Sequence, residues 1–225
     1  MGAELDKIFD NIAMQGILKN KSILQTNYTP ETIPHRDDEI NSVASILAPA
    51  LRGERVSNLF VFGTTGTGKT LSVQHVTNEM TKRIKENGKE GLQVVYVNCK
   101  LKKVADTEYR ILAEIINNLG GHVPATGLPT DAVYNKFIEI IDNKKQVILI
   151  ILDEIDQAVK KISDSFLYTL TRLNTELKNA QISLVGISNS LTFMDGLDPR
   201  VRSSLSEEEL VFSPYNALQL QDILK

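Results

Sequence analysis

The chain has 225 residues, of which 42% are hydrophobic and 24% are charged, values typical of a globular protein and not of a disordered one. The formal net charge of −3 excludes DNA binding through bulk positive charge, so any DNA contact must be local. The single cysteine, Cys99, excludes a disulfide framework and favours a reducing cytoplasm, and the longest apolar run, 147–152, is far too short to span a membrane.

Helical and strand periodicities alternate along the chain after an N-terminal helical segment. Strands are predicted at 58–62, 93–97, 147–152, 181–187 and 209–212. Helices are predicted at 4–24, 37–51, 72–87, 107–119, 131–142, 163–177 and 215–225. Between the first two helices, Pro30 and Pro34 favour an extended segment. This alternation predicts an α/β fold, with a five-stranded parallel sheet and helices on both faces.

A phosphate-binding loop is predicted at residues 61–70, VFGTTGTGKT, which fit the pattern G-x-x-x-x-G-K-[ST]. The loop follows a predicted strand and leads into a predicted helix, so its backbone N–H groups and the helix dipole can face phosphates. Lys69 would reach the outer phosphates and the Thr70 hydroxyl would bind Mg²⁺. The alternative is a glycine-rich turn with an accidental lysine. The glycine spacing does not fit a dinucleotide-binding fingerprint.

Polar residues follow two further predicted strands. Asp153 and Glu154 end the apolar run ILIILDEID, where Asp153 would hold Mg²⁺ and Glu154 would polarise an attacking water. The alternative is a solvated strand end. Asp156 either positions the loop or is simply exposed. Asn189, after the strand at 181–187, either contacts the γ-phosphate or the attacking water, or is an ordinary turn residue.

Three elements, in this order, resemble those of an AAA+ ATPase: the phosphate-binding loop, the strand end with Asp153 and Glu154, and Asn189. The flanking segments narrow the resemblance. The segments are IPHRDDEI (33–40), VYVNC (95–99), GLDPRVRSSL (196–205) and ELVFSPY (209–215). Together they resemble the archaeal replication initiators, single-chain relatives of the eukaryotic origin recognition complex and of its helicase-loading partner. The resemblance runs from about Tyr28 to the C-terminus. It implies a helical extension at 1–27, a P-loop AAA+ core at 28–214 and the first helix of a lid at 215–225. The rest of the lid and a winged-helix domain would lie outside this chain.

The resemblance also implies roles for individual residues. Asn189 would read the γ-phosphate, and Arg200 would act in trans as an arginine finger, with Arg202 as the second candidate. The alternative for both arginines is surface pairing with the acidic run 207–209. The nucleotide-binding residues would be Ile33, Pro34, His35, Arg36, Thr65, Gly66, Thr67, Gly68, Lys69, Thr70, Leu71 and Tyr215, of which 33–36 would line the adenine pocket.

An inserted helical element at about 100–131 would contact and deform duplex DNA in the family. Its loop GGHVPATGLP (120–129) has few cations, so contacts through backbone amides and apolar side chains are expected. A basic cluster of Lys100, Lys102 and Lys103 is more typical of a solvated face than of a phosphate contact.

The function implied is that of an ATP-switched DNA replication initiator with weak, Mg²⁺-dependent hydrolysis of ATP to ADP and phosphate. The expected partners are double-stranded origin DNA, a replicative helicase, and a second copy or a paralogous initiator, in a cytoplasmic, nucleoid-associated location. One alternative is another AAA+ or STAND-type P-loop ATPase, such as a clamp loader or transposition ATPase. Another is an interaction module that no longer hydrolyses ATP.

Overall fold

A computed structural model describes residues 32–88, 91–100, 106–124, 126–205 and 208–224. The chain divides into two compact units, Met1–Ile33 and Pro34–Lys225. Only Thr32 and Ile33 of the first unit are described. The predicted helix at 4–24 and the predicted boundary between residues 27 and 28 therefore lie outside the described residues and stay predictions.

Strands and helices alternate through the second unit. The strands are β1 (Leu59–Phe62), β2 (Leu92–Asn98), β3 (Gln146–Asp153), β4 (Ala180–Ser188) and β5 (Glu208–Val211). The α-helices are α1 (Asp37–Leu47), α2 (Lys69–Glu86), α3 (Glu108–Asn118), α4 (Thr130–Ile141), α5 (Ile155–Ile162), α6 (Ser165–Arg172), α7 (Pro199–Leu205) and α8 (Ala217–Ile223). Short 3₁₀ segments occupy 48–52, 173–175 and 194–196.

The sheet confirms the predicted fold class. Its five strands pair in parallel in the order β2-β3-β4-β1-β5. In register, Asp153 of β3 lies beside Asn98 of β2 and Ile187 of β4, while Ser188 lies beside Phe62 of β1. The last residues of four strands therefore meet at one edge of the sheet, directly before the loops that carry the polar motifs.

A hydrophobic cluster lies on each face of the sheet, because alternate residues of a strand point to opposite faces. β3 is buried along its whole length and contributes to both clusters: Val147, Leu149 and Ile151 to one, Ile148, Ile150 and Leu152 to the other. Helices α1 and α2 cover the first cluster, and α3 to α7 cover the second. Complete burial of one such side chain contributes about 1.5–3 kcal/mol. Both faces therefore need helices.

Cys99, directly after β2, is fully buried, and burial raises the pKa of its thiol to about 12. It belongs to the cluster covered by α3 to α7, as expected of a small core residue.

One helix prediction was wrong, and two helices were missed. The predicted helix at 163–177 is shorter, because Ser163 has a positive φ of 87° and Asn174 makes two hydrogen bonds with the backbone of Ile182. These contacts end α5 before 163 and turn the chain into a 3₁₀ segment after Arg172. Helix α5 itself was not predicted, since its eight residues follow the acidic motif without a turn signal.

Helix α7 was also missed, since 196–205 was read only as a stretch that begins as a loop. Asp198 accepts a hydrogen bond from the Arg200 N–H at 2.8 Å, and Pro199 occupies the first helical position. An acidic cap followed by proline is a helix-start signal that the sequence offered.

Among the described residues, no helix combines the length and apolar character needed to cross a bilayer.

Candidate nucleotide-binding site

The loop between β1 and α2 curls back on itself to open a cradle at the sheet edge. Gly63 has a φ of 153°, and a Cβ there would lie 2.5 Å from the Phe212 carbonyl oxygen. Gly68 caps α2 with a φ of 89°, a left-handed conformation that costs other residues energy. Thr67 Oγ1 donates to the Thr64 carbonyl at 2.9 Å, inside the loop. Only glycine at 63 lets the loop run this close to the chain after β5.

The Lys69 ammonium is held within this loop by oxygen acceptors. Its Nζ donates to the carbonyls of Gly63 and Thr64, both at 2.8 Å, and to Asn189 Oδ1 at 2.9 Å. Lys69 is only 5% exposed, and burial lowers the pKa of the ammonium, while nearby carboxylates led by Asp153 oppose that shift. The loop and the end of β4 are therefore joined through one buried cation.

The Asp153 carboxylate accepts three hydrogen bonds at the end of β3. Its Oδ1 accepts from the Glu154 N–H at 2.9 Å, and its Oδ2 accepts from Thr70 Oγ1 at 3.0 Å and from the Tyr96 hydroxyl at 2.6 Å. Burial and then the bond to Asp153 raise the pKa of the Tyr96 phenol far above its usual value, so the phenol remains a donor. Thr70 and Asp153, the two predicted metal ligands, are thus in direct contact.

These oxygens suit Mg²⁺. The ion is usually held by one or two carboxylates together with substrate phosphates and water, and a hydroxyl beside a carboxylate fits that donor set. No group of three or more His, Cys, Asp or Glu side chains with metal-binding geometry occurs within the described ranges. A metal held by Thr70 and Asp153 would complete its coordination with nucleotide phosphates and water.

Glu154 lies at the turn from β3 into α5. Its backbone is left-handed, with φ 53° and ψ 45°, and its side chain is 19% exposed. Such a backbone in a residue with a side chain costs about 1–3 kcal/mol and is typical of functional sites.

Lys100 Nζ lies 3.3 Å from Glu154 Oε1. Lys100 is exposed, as expected of a solvated face, and it also pairs with this carboxylate. Lys102 and Lys103 lie outside the described residues.

A buried carboxylate fixes the strand end that presents Asn189. Asp156, on the first turn of α5, is 5% exposed and accepts from Ser188 Oγ at 3.1 Å. Ser188 Oγ in turn accepts from the Ser190 N–H at 3.0 Å. Of the two readings left open for Asp156, simple exposure is excluded. It connects α5 to the residue before Asn189.

The Arg36 guanidinium packs against two aromatic rings beside the phosphate loop. The Arg36 guanidinium carbon is 4.1 Å from the Tyr215 ring centroid and 5.5 Å from that of Phe212, and the side chain also bonds Glu39 and the Ser213 carbonyl. Its Nε is buried without a hydrogen-bond partner. A Cβ on Gly68 would lie 3.2 Å from the Tyr215 hydroxyl. Arg36 and Tyr215 therefore border the phosphate loop, and their contact with a nucleotide stays a prediction.

The remaining predicted nucleotide contacts are spread around this loop. Pro34 and His35 are exposed, and His35 has a φ of 60° and an Nε2 atom 2.9 Å from Asp222 Oδ2 in α8. Thr65 and Gly66 are exposed at the tip of the loop, and Leu71 is half-buried in the first turn of α2. Ile33 belongs to the other compact unit, so its role in the adenine pocket stays a prediction.

Arg200 and Arg202 do not join this cluster within the chain. Arg200 Nε and Nη2 bond Asp198 at 3.1 and 3.2 Å, and Arg202 Nη1 bonds Asp195 at 3.2 Å. Among the described residues these arginines pair with Asp198 and Asp195, next to the start of α7, and Glu207 of the acidic run lies outside the described residues. Arg200 remains 83% exposed, and its bond with Asp198 raises the pKa of the guanidinium and lowers that of the carboxyl. It is accessible to a second molecule.

The structure brings Lys69, Thr70, Asp153 and Asn189 into contact, with Glu154 adjoining them. Sequence reasoning missed Tyr96 as part of this cluster. Its position, two residues before the end of a strand next to β3, was the available signal.

Comparison with known proteins agrees with this arrangement. The AAA domain family matches residues 53–194. The ORC1-type DNA replication protein of Pyrococcus furiosus is 52% identical over 226 residues, which covers 98% of this chain and 53% of that protein. The ORC1-type DNA replication protein 1 of Methanosarcina mazei is 50% identical over 222 residues, covering 98% and 52%.

Among solved structures, the Aeropyrum pernix ORC1 protein in complex with DNA aligns with a TM-score of 0.82 and 42% identity, covering 92% of this chain and 52% of that one. The matches confirm the resemblance predicted from the motifs. The chain spans about half the length of the curated relatives it matches.

Proposed function

We propose that this chain, which belongs to the AAA domain family, binds ATP and hydrolyses it slowly as a switch in the initiation of DNA replication. The observation that carries the proposal is the convergence of Lys69, Thr70, Asp153 and Asn189 at one sheet edge. The similarity to ORC1-type replication proteins supports replication initiation as the process. The ATP-bound state would be competent for origin recognition and helicase loading, and hydrolysis would reset it.

The phosphates would occupy the cradle between the loop and Asn189. Backbone N–H groups of 65–71 and the N-terminus of α2 would bind the phosphate oxygens. Lys69, now bonded to loop carbonyls, would exchange these for phosphate oxygens, and Asn189 would contact the γ-phosphate. Magnesium, held by Thr70 and Asp153, would neutralise charge on the phosphates.

The attacking water would be polarised by Glu154. The carboxylate is 19% exposed, which gives water access to it. Its contact with Lys100 would have to open or shift for the carboxylate to accept a proton from water. Phosphoryl transfer needs little covalent chemistry from the protein, so positioning of this kind supplies most of the rate.

The base would lie beside residues 34–36 and Tyr215, near the buried and unpartnered Nε of Arg36. The exposed Arg200 would complete the site of a neighbouring subunit, with Arg202 as the second candidate. This requires a second copy or a paralogous initiator. In GTPases such an arginine changes turnover by about 10³–10⁵.

Duplex origin DNA would be contacted in part by the segment 100–131 and mainly by regions found in the longer relatives. The Aeropyrum pernix relative was solved in complex with DNA, which supports this partner. In the described part of the segment, Leu128 in the loop after α3 is 41% exposed, which suits contact through apolar groups. A replicative helicase and location at the nucleoid follow from the same function.

Two variants test the nucleotide chemistry. Lys69→Ala should abolish ADP binding measured by calorimetry, because the phosphates lose their buried cation. Glu154→Gln should bind ATP with unchanged affinity and hydrolyse it far more slowly in a single-turnover assay. Normal nucleotide affinity in Lys69→Ala, or wild-type turnover in Glu154→Gln, would contradict the assigned roles.

A DNA-binding measurement tests the process. At about 0.2 M salt, the full-length protein should bind duplex origin DNA more tightly than a scrambled duplex of equal length. Contacts made only with phosphates weaken strongly at this salt concentration. Equal retention of both duplexes would instead favour another P-loop machine, such as a clamp loader.

A further inference from the structure

The phenol of Tyr96 reaches the carboxylate that faces the phosphate loop from a neighbouring strand. In register, Tyr96 of β2 pairs with Ile151 of β3, and Asn98 pairs with Asp153. Asp153 is therefore the diagonal neighbour of Tyr96 on the same face, a separation that an aromatic side chain can span. The hydroxyl lies 2.6 Å from Asp153 Oδ2, and the side chain packs against the cluster covered by α1 and α2.

Each donor to Asp153 restricts the carboxylate differently. The Glu154 N–H fixes Oδ1 from the backbone, whereas Oδ2 accepts from two side chains, Thr70 and Tyr96. Without the phenol, one backbone bond and a half-buried threonine hydroxyl would have to define the side-chain orientation. Charge-assisted bonds of this length are about twice as strong as neutral ones.

Thr70 has a single hydroxyl proton, and in the structure it is directed to Asp153 Oδ2. The lone pairs of the same hydroxyl oxygen are then free to bind a cation. Any rotation of the Asp153 carboxylate would redirect that proton. The orientation of Asp153 thus determines whether both oxygens are presented together to a metal.

We propose that Tyr96 is a positioning residue for magnesium, which fixes Asp153 so that its carboxylate and the Thr70 hydroxyl present their oxygens together. The inference rests on the proposed nucleotide and magnesium site and adds to it a residue outside the phosphate loop and the acidic motif. Tyr96 itself contacts neither nucleotide nor metal. Its effect is confined to metal-assisted binding.

The test compares ADP affinity with and without magnesium in Tyr96→Phe, which removes the hydroxyl and keeps the ring. With excess Mg²⁺, calorimetry should show affinity for ADP reduced about 10-fold, which corresponds to ~1.4 kcal/mol. In EDTA, affinity should match that of the unsubstituted chain. An equal loss in both buffers, or no loss in either, would overturn the proposal.

Two further variants separate positioning from packing. Tyr134→Phe removes another half-buried phenol that bonds a carboxylate, Glu108, on the far side of the sheet, and should leave both affinities unchanged. In an Asp153→Asn background, adding Tyr96→Phe should cause no further loss with Mg²⁺, because the carboxylate to be oriented is gone. An additive loss there would overturn the proposal. Failure of the unsubstituted chain to bind ADP in either buffer would instead overturn the proposed function.

Discussion

Gly186 occupies a position in β4 where the sheet leaves no room for a side chain. It pairs with Phe60 of β1 on one side and Leu152 of β3 on the other. A Cβ at this position would lie 2.4 Å from Phe60 Cε1, 2.6 Å from Phe60 Cδ1 and 3.3 Å from Ile155 Cδ1. Gly186→Ala therefore adds one methyl group to a space already filled by an aromatic ring.

The expected cost follows from how little the neighbours can move. Phe60 is fully buried, and its ring stacks on that of Phe62 with 6.3 Å between the centroids. Overpacking of such a core costs about 1–3 kcal/mol in the free energy of unfolding. For a chain of this size each kcal/mol lowers the melting temperature by roughly 2–4 °C, so a fall of about 2–12 °C is expected.

Thermal and denaturant unfolding of the nucleotide-free chain measure this cost. Gly196→Ala is the matched control, because a Cβ at Gly196 has no atom within 4 Å, and it should leave stability unchanged or slightly raised. Adding Phe60→Leu should recover part of the loss in Gly186→Ala, since the two side chains compete for the same space. Equal melting temperatures for Gly186→Ala and Gly196→Ala would refute the reasoning.

Two other substitutions probe the site. Arg200→Ala should leave ADP affinity unchanged, but the specific ATPase activity should no longer rise with protein concentration. An equal effect of Arg202→Ala would count against Arg200 as the arginine finger. Asp156→Ala should lower the free energy of unfolding by about 1.5–3 kcal/mol by deleting a buried charge-assisted bond with Ser188, and should slow ATP hydrolysis. Asp156→Asn keeps an acceptor and should cost less in a denaturant titration, and equal losses for the two variants would argue against the bond.

Strong local patterns in the sequence were enough to predict the sheet. A continuous apolar run such as 147–152, rich in Ile and Val, favours a strand buried on both faces, and β3 is indeed buried throughout. The helices after it were harder to predict, because Ser163 and Asn174 end helical segments through a positive φ and through bonds to β4. Neither effect is visible in periodicity.

The amino-acid sequence by itself determined the chemistry of the candidate site. Gly63, Lys69 and Thr70 follow one strand, and Asp153 follows another. Parallel strands bring such termini to one edge whatever the rest of the chain does. The contact between Thr70 and Asp153 also requires the strand order, in which β4 alone separates β3 from β1.

Only the tertiary structure decided which other side chains support these residues. Tyr96 reaches Asp153 through the register of β2 on β3, and Asp156 reaches Ser188 because α5 turns back over the end of β4. Arg200 faces outward because α7 turns it toward Asp198. Register, helix direction and exposure are set by packing between elements distant in the chain, so no local pattern carries them.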